Sequence, residues 1–233
     1  MTLGSGRLTM VVGSLLLAGG AFGADLVEPW DPQRTNLELS VAGVDAGGLA
    51  TLVGTGVTDR VSVGWCAGRD GDGLRDTGFV AIVHQPLGRG GDLDVWSEVG
   101  LSSAGGGDGD KRFGGGLEWS GPWSALVPYV RLTGAAGDPG TAWGGLVGVM
   151  RPVGERLGLH LELSLLDAGH EGSTRRLALG PNVMVHPRVE VLPELSWERA
   201  PDGRSELGFA WTVVFDLPRA IPFLGSRPGT GDP

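Results

Sequence analysis

Hydrolytic chemistry needs a nucleophile, a base and an orienting acid within hydrogen-bond reach of one another. The segment Leu159-His160-Leu161-Glu162-Leu163-Ser164-Leu165 offers His160 and Ser164 on one face of an alternating stretch. Four residues at about 3.3 Å each separate them by roughly 13 Å, which excludes direct partnership within that strand. His84 meets a serine only from another strand, which sequence alone does not choose. A lone inward histidine otherwise serves as a hydrogen-bonding group, so the sequence predicts no enzyme and no catalytic residue.

Other chemistries fare no better. Asp70-Gly71-Asp72-Gly73 and Gly105-Gly106-Gly107-Asp108-Gly109-Asp110 resemble pieces of calcium loops. No Glu closes the first, and Lys111 stands where a nonapeptide calcium repeat needs Asp, so both read as solvated loops. Gly54-Thr55-Gly56 lacks the third glycine of a dinucleotide fingerprint and opens no helix. Cys66 is the only cysteine, which rules out an intrachain disulfide and suits a small packing residue. No metal cluster, phosphate loop or cofactor motif remains.

What is left is a set of carboxylates. On an alternating register, one face carries Glu38, Asp94, Glu98, Glu118, Glu162, Glu190, Glu194 and Glu206 against Arg131 and the histidines His84 and His160. If that face lines a lumen, the carboxylates must be hydrated, protonated or paired. A hydrated acidic pore favours cations. The same residues can equally make a polar interior that selects nothing. Glu118 and Arg131 fall on neighbouring strands, where they can pair.

The elements that would position these groups are strands. Period-2 alternation dominates from residue 36 onward, as in Leu207, Phe209, Trp211, Val213, Phe215 and Leu217 on one face of a single run. Twelve strands are predicted near 36–45, 49–57, 61–69, 77–87, 92–102, 112–120, 125–134, 141–151, 157–166, 175–185, 189–198 and 205–217. Most are 9 to 11 residues long, the length of a tilted strand crossing a bilayer, and an even number suits a bacterial single-chain barrel. Connections after even strands are tight, such as Thr58-Asp59-Arg60 and His186-Pro187-Arg188; those after odd strands are mostly longer and polar. That asymmetry places the short turns and both chain ends on the periplasmic side. Trp65, Phe79, Phe113, Trp143 and Trp197 then fall near the loop rim, and Trp119, Trp123 and Phe215 near the turn rim. Two such bands match the aromatic girdles of a membrane interface, although aromatics also end strands in other β proteins.

Composition agrees. Of 233 residues, 44 are Gly and 15 Pro, yet 41% are hydrophobic, mean hydropathy is +0.07 and 19% are charged. A disordered chain is poorer in apolar residues. A net charge of −9 argues against a nucleic-acid partner. Residues 1–23 have the layout of a signal peptide: Arg7, the apolar run Leu8–Leu17, then Ala21-Phe22-Gly23. Its removal leaves 17 basic and 27 acidic residues, a net charge of −10.

Two stretches also carry a family resemblance. Leu52-Val53-Gly54-Thr55-Gly56-Val57-Thr58-Asp59-Arg60-Val61-Ser62-Val63-Gly64, with its Thr-Asp-Arg turn, resembles a hairpin common in outer-membrane transporters associated with the meta-cleavage pathway of phenol degradation. The closing hairpin, Gly180-Pro181-Asn182-Val183-Met184-Val185-His186-Pro187-Arg188-Val189-Glu190-Val191 through Glu194, followed by Gly208 to Phe215, is similar too. The resemblance implies passage of small hydrophobic or aromatic compounds and identifies no catalytic residue. The last strand, with Glu206, Gly208 and Trp211, resembles a barrel-assembly signal.

The sequence thus predicts an all-β, antiparallel up-and-down transmembrane barrel of about twelve strands in a bacterial outer membrane. The expected layout is signal peptide 1–23, periplasmic lead-in 24–35, barrel 36–217 and C-terminal extension 218–233. The expected role is a passive pore or transporter for small molecules. The alternatives are a filled structural or assembly-linked barrel and a secreted soluble barrel that binds a ligand. Outer-membrane lipid, the barrel-assembly machinery and a small solute are the expected partners.

Overall fold

The alternation produces twelve strands and closes them on themselves. In the computed structural model they are β1 (Arg34–Ala42), β2 (Gly48–Thr58), β3 (Val61–Arg69), β4 (Arg75–Leu87), β5 (Gly91–Ser103) and β6 (Asp110–Ser120). The second half comprises β7 (Val127–Gly137), β8 (Thr141–Pro152), β9 (Leu157–Asp167), β10 (Ser173–His186), β11 (Val189–Arg199) and β12 (Ser205–Pro218). Each strand pairs antiparallel with its chain neighbour, and β1 pairs with β12 to seal the cylinder. The structure describes residues 34–42, 48–69, 75–103, 110–137, 140–167, 169 and 172–218. The signal peptide 1–23, nearly all of the lead-in and residues 219–233 of the extension lie outside them, as do the acidic glycine segments 70–73 and 105–109.

Strand boundaries move outward from the sequence expectation. Arg34 and Thr35 belong to β1 rather than to a lead-in, and Pro218 belongs to β12, because Arg34 pairs with Pro218 across the seam. Arg34 also forms an ion pair with Asp216 there. The largest change is at β7, expected at 125–134. Trp123 and Leu126 form an isolated bridge with Ser124 at φ 60°, the only positive φ outside glycine among the described residues, so the turn continues through 126. At its far end β7 runs on to Gly137, whose amide bonds the Gly140 carbonyl. The β6–β7 turn is therefore longer than the β7–β8 connection, which departs from the rule of short turns on one rim. At the β4–β5 turn, a 3-10 turn at Gly88–Gly90 uses Gly90 at φ 79°, a left-handed conformation that glycine adopts without strain.

The distribution of apolar residues is inverted relative to a soluble protein. Among the described residues only nine hydrophobic side chains are buried, while 34 large ones are exposed. They lie on alternate positions of consecutive strands, as with Leu157, Leu159, Leu161 and Leu163 on β9. The expected girdle aromatics share this outer face. Trp65, Phe79, Phe113, Trp119, Trp143 and Trp197 are exposed, Trp123 sits exposed in its turn, and Phe215 is half-buried. Trp65 and Phe79 are direct cross-strand partners. On β12, Phe209 and Trp211 add an edge-to-face pair, with ring centroids 5.3 Å apart. At the loop rim Arg204 bonds Asp202, which holds that exposed carboxyl below the usual carboxylate range.

Candidate functional site

The inward face carries nearly all the polar chemistry. Asp94, Glu98, Glu118, Glu162, Glu194, Arg131, His84 and His160, together with Tyr129, each expose no more than 4% of their surface. Their partners come from neighbouring or next-neighbouring strands, so side chains packed along the inner face account for this burial. Three candidate residues are not among these buried groups. Glu190 is half-buried, Glu206 is exposed at the end of β12 beside Arg204's loop, and the Glu38 side chain lies outside the described residues.

The buried groups form two clusters. In the first, Arg131 directs both Nε and Nη2 to one oxygen of Glu118, each at 2.6 Å. The two residues are direct partners in the β6–β7 ladder. The guanidinium also sits 6.0 Å over the Trp96 ring centroid, within cation–π range. Asp94 is the cross-strand neighbour of Glu118, so two carboxylates lie side by side. They are held by different partners: Glu118 by Arg131, and Asp94 by His84 Nδ1 at 2.6 Å. The other nitrogen of His84 meets Ser62 Oγ at 3.1 Å.

Ser62, His84 and Asp94 therefore stand in the order of nucleophile, base and orienting acid. Ser62 comes from β3, a residue that strand reading missed because its hydroxyl meets His84 diagonally across strands. Yet Ser62 exposes 0% of its surface. An acyl group cannot reach Oγ in this arrangement. The triplet serves as a hydrogen-bonded strut that links β3, β4 and β5.

The second cluster runs around the opposite wall. Tyr129 donates to Glu162 Oε1 at 2.6 Å. His160 Nδ1 lies 2.9 Å from Asn182 Oδ1, and its Nε2 faces Glu194 Oε2 at 3.7 Å. The other oxygen of Glu194 is bound by Arg176. Arg176 and Arg112, the latter also buried, add positive charge beyond the single Arg131 expected from sequence. Strand parity could have shown Tyr129 and Arg176, since each stands an even number of residues from an inward neighbour on its own strand.

Glycine makes room for the large rings. Tyr129 is paired with Gly148 on β8, and Gly148 with Glu162 on β9, so the phenol lies across the glycine to reach its acid. A Cβ on Gly148 would stand 2.2 Å from the ring. Trp96 likewise covers its partner Gly116, where a Cβ would stand 2.6 Å from the indole and 2.3 Å from the Leu132 carbonyl. His160 lies on its partner Gly180, where the Pro193 carbonyl also approaches to 2.1 Å of the absent Cβ. These rings lie along the wall because the next strand carries only hydrogen at that point.

One inward sector is apolar. Leu52, Val80, Ile82 and Trp96 from β2, β4 and β5 pack together, and Cys66 joins them with its sulfur 3.6 Å from Glu98 Oε1. Cys66 is half-buried there. Among the described residues there is no group of three or more potential metal ligands.

No protein-family model and no curated protein sequence matches the chain. Solved structures share its architecture. The KdgM porin in complex with disordered oligogalacturonate is 8% identical, with 77% of this chain and 98% of that chain aligned at a TM-score of 0.64. An outer membrane channel from Pseudomonas putida F1 is 9% identical over 85% of this chain and 98% of that one, at 0.61. The translocator domain of the autotransporter NalP from Neisseria meningitidis is 12% identical over 90% and 95%, at 0.58. At such identities the likeness is one of fold.

Proposed function

We propose that the chain is a bacterial outer-membrane barrel that passes small molecules, closed in the described conformation by side chains of its own wall. The observation that carries this reading is the inverted distribution of residues: an apolar outer face around an ionisable, hydrogen-bonded interior. An 11-residue strand is about 36 Å long, and at a tilt of about 40° it rises about 28 Å, enough for the apolar band of such a barrel. Outer-membrane lipid and the barrel-assembly machinery are then its structural partners. The porin and channel among the solved likenesses support the pore role, and their transported solutes are not carried over.

In this reading rotamer changes at Tyr129, Arg131 and His160 open a path. The resemblance to transporters of the phenol meta-cleavage group supports small hydrophobic or aromatic solutes. Leu52, Val80, Ile82 and Trp96 give such a solute one apolar side of the lumen, and the acidic residues favour cations among charged ones. Planar-bilayer recording and solute uptake into liposomes test the pore. Reversal potentials test the charge preference, which Glu162→Gln and Glu194→Gln should weaken. Absence of conductance and uptake, even after Tyr129→Ala/Arg131→Ala, refutes transport.

That outcome favours the second reading, a filled structural barrel. It rests on one observation: Glu118 on β6, Tyr129 on β7, and Leu192 and Glu194 on β11 are each at most 1% exposed. Fractionation as a soluble protein without detergent would instead favour a secreted ligand-binding barrel.

A further inference from the structure

The two buried histidines are solvated by the protein in opposite ways. Each gives its Nδ1 to an acceptor, Asp94 Oδ1 for His84 and Asn182 Oδ1 for His160, so each ring carries its hydrogen on that nitrogen. The remaining nitrogen of His84 then finds a hydroxyl, Ser62, which supplies a hydrogen. The remaining nitrogen of His160 finds Glu194 Oε2, a carboxylate oxygen with none.

Both of these atoms are buried without a hydrogen-bond partner, and both side chains expose 0% of their surface. With a neutral ring, two lone pairs face each other at 3.7 Å. One added hydrogen on Nε2 turns the ring into a donor and leaves the carboxylate its acceptor, so that both groups are satisfied once the atoms close to hydrogen-bond distance.

Groups from four other strands surround the ring. On the same strand and face Glu162 stands two residues on, held by the Tyr129 hydroxyl from β7. From β8 the cross-strand partner is uncharged Met150. From β10 come Asn182 and Arg176, the latter bound to Glu194, and from β11 comes Glu194 itself. Arg131 on β7 is bound to Glu118. Among the described residues five buried carboxylates, Asp94, Glu98, Glu118, Glu162 and Glu194, stand against buried Arg112 and Arg131 and part-buried Arg176, so a further cation reduces an excess of negative charge.

We infer that His160 and Glu194 form a proton-binding site inside the barrel, in which one captured proton converts an unsatisfied contact into an ion pair that ties β9 to β11. Loss of the proton as pH rises leaves the two lone pairs opposed and loosens that tie. The sign follows from linkage: a proton held by the folded barrel stabilises it on the acid side and ceases to do so once pH passes the point of release. This inference stands apart from transport, because neither readout below involves solute passage.

The experiment uses the full chain folded in detergent with 15N-labelled histidine. Imidazole nitrogen shifts are followed from about pH 5 to about pH 9, and thermal unfolding is measured over the same range. One imidazolium signal, absent in His160→Gln, is expected to persist after the ordinary histidines have titrated, and the unfolding temperature is expected to fall as that signal disappears. Glu194→Gln keeps an oxygen for Arg176 and presents an amide N–H to Nε2. It therefore supplies the missing hydrogen covalently, and both the late signal and the associated pH dependence should be lost while the barrel stays folded. A His160 ring that is neutral throughout in the parent protein overturns the inference without any variant, and so does an unchanged unfolding profile in Glu194→Gln.

Discussion

Replacing Gly148 by alanine adds one methyl group to the inner wall of β8, and its effect can be worked through from the structure. The new Cβ would lie 2.2 Å from Tyr129 Cζ and 2.5 Å from its hydroxyl oxygen, against about 3.5–4.0 Å for comfortable carbon contacts. Tyr129 is 1% exposed and cannot swing into solvent. Either the wall strains, at about 1–3 kcal/mol for an overpacked interior, or the phenol leaves Glu162 and a charged hydrogen bond worth about 1.5–3 kcal/mol is lost. Removing a glycine from a strand returns only about 0.5–1 kcal/mol. The clash outweighs that gain, and a net loss of about 0.5–2.5 kcal/mol is expected from these same terms. The assay is urea unfolding of the detergent-folded barrel by tryptophan fluorescence, run as a double-mutant cycle with Tyr129→Ala. With the ring gone, Gly148→Ala should cost almost nothing. A Gly148→Ala protein as stable as its parent, or a penalty that survives unchanged beside Tyr129→Ala, would refute the idea that this glycine exists to seat the ring.

Three further outcomes are expected. Arg131→Ala should cost about 3–5 kcal/mol because it leaves buried Glu118 without its cation, and Arg131→Ala/Glu118→Ala should be milder than the single change; equal losses in both would dismiss the pair. Ser62 should resist a serine-directed fluorophosphonate in the folded barrel, and mass-spectrometric detection of an adduct on Ser62 would contradict its role as a strut. In bilayers carrying bromine at defined acyl-chain depths, single-tryptophan variants that retain Trp65 or Trp119 should both be quenched best by shallow bromines. Deep quenching of either would remove it from an interfacial girdle.

The strand pattern was legible because alternation is a local property. Leu159, Leu161 and Leu163 must share a face wherever β9 is placed, and the same parity brings Glu162 and His160 to the other face. Boundaries were less legible where hydrogen bonding beyond the alternation decides them. Nothing in Trp123-Ser124-Ala125-Leu126 announces an extra bridge, and the placement of Arg34 in β1 depends on pairing with Pro218 at the other end of the chain. Tyr129 could have been read as inward from Arg131 two residues later, but its glycine and its acid lie on two other strands.

By itself the sequence determined an all-β barrel with an acidic inner face, since period-2 patterning, strand length and turn residues are written residue by residue. The tertiary structure decided which inward groups meet. Ser62 with His84, Tyr129 with Glu162 across Gly148, and His160 with Glu194 across Gly180 are all set by the register of neighbouring strands. A shift of two residues in any one strand would preserve every inward and outward assignment and break all contacts of that strand, so the alternation that specifies the wall is silent about its chemistry.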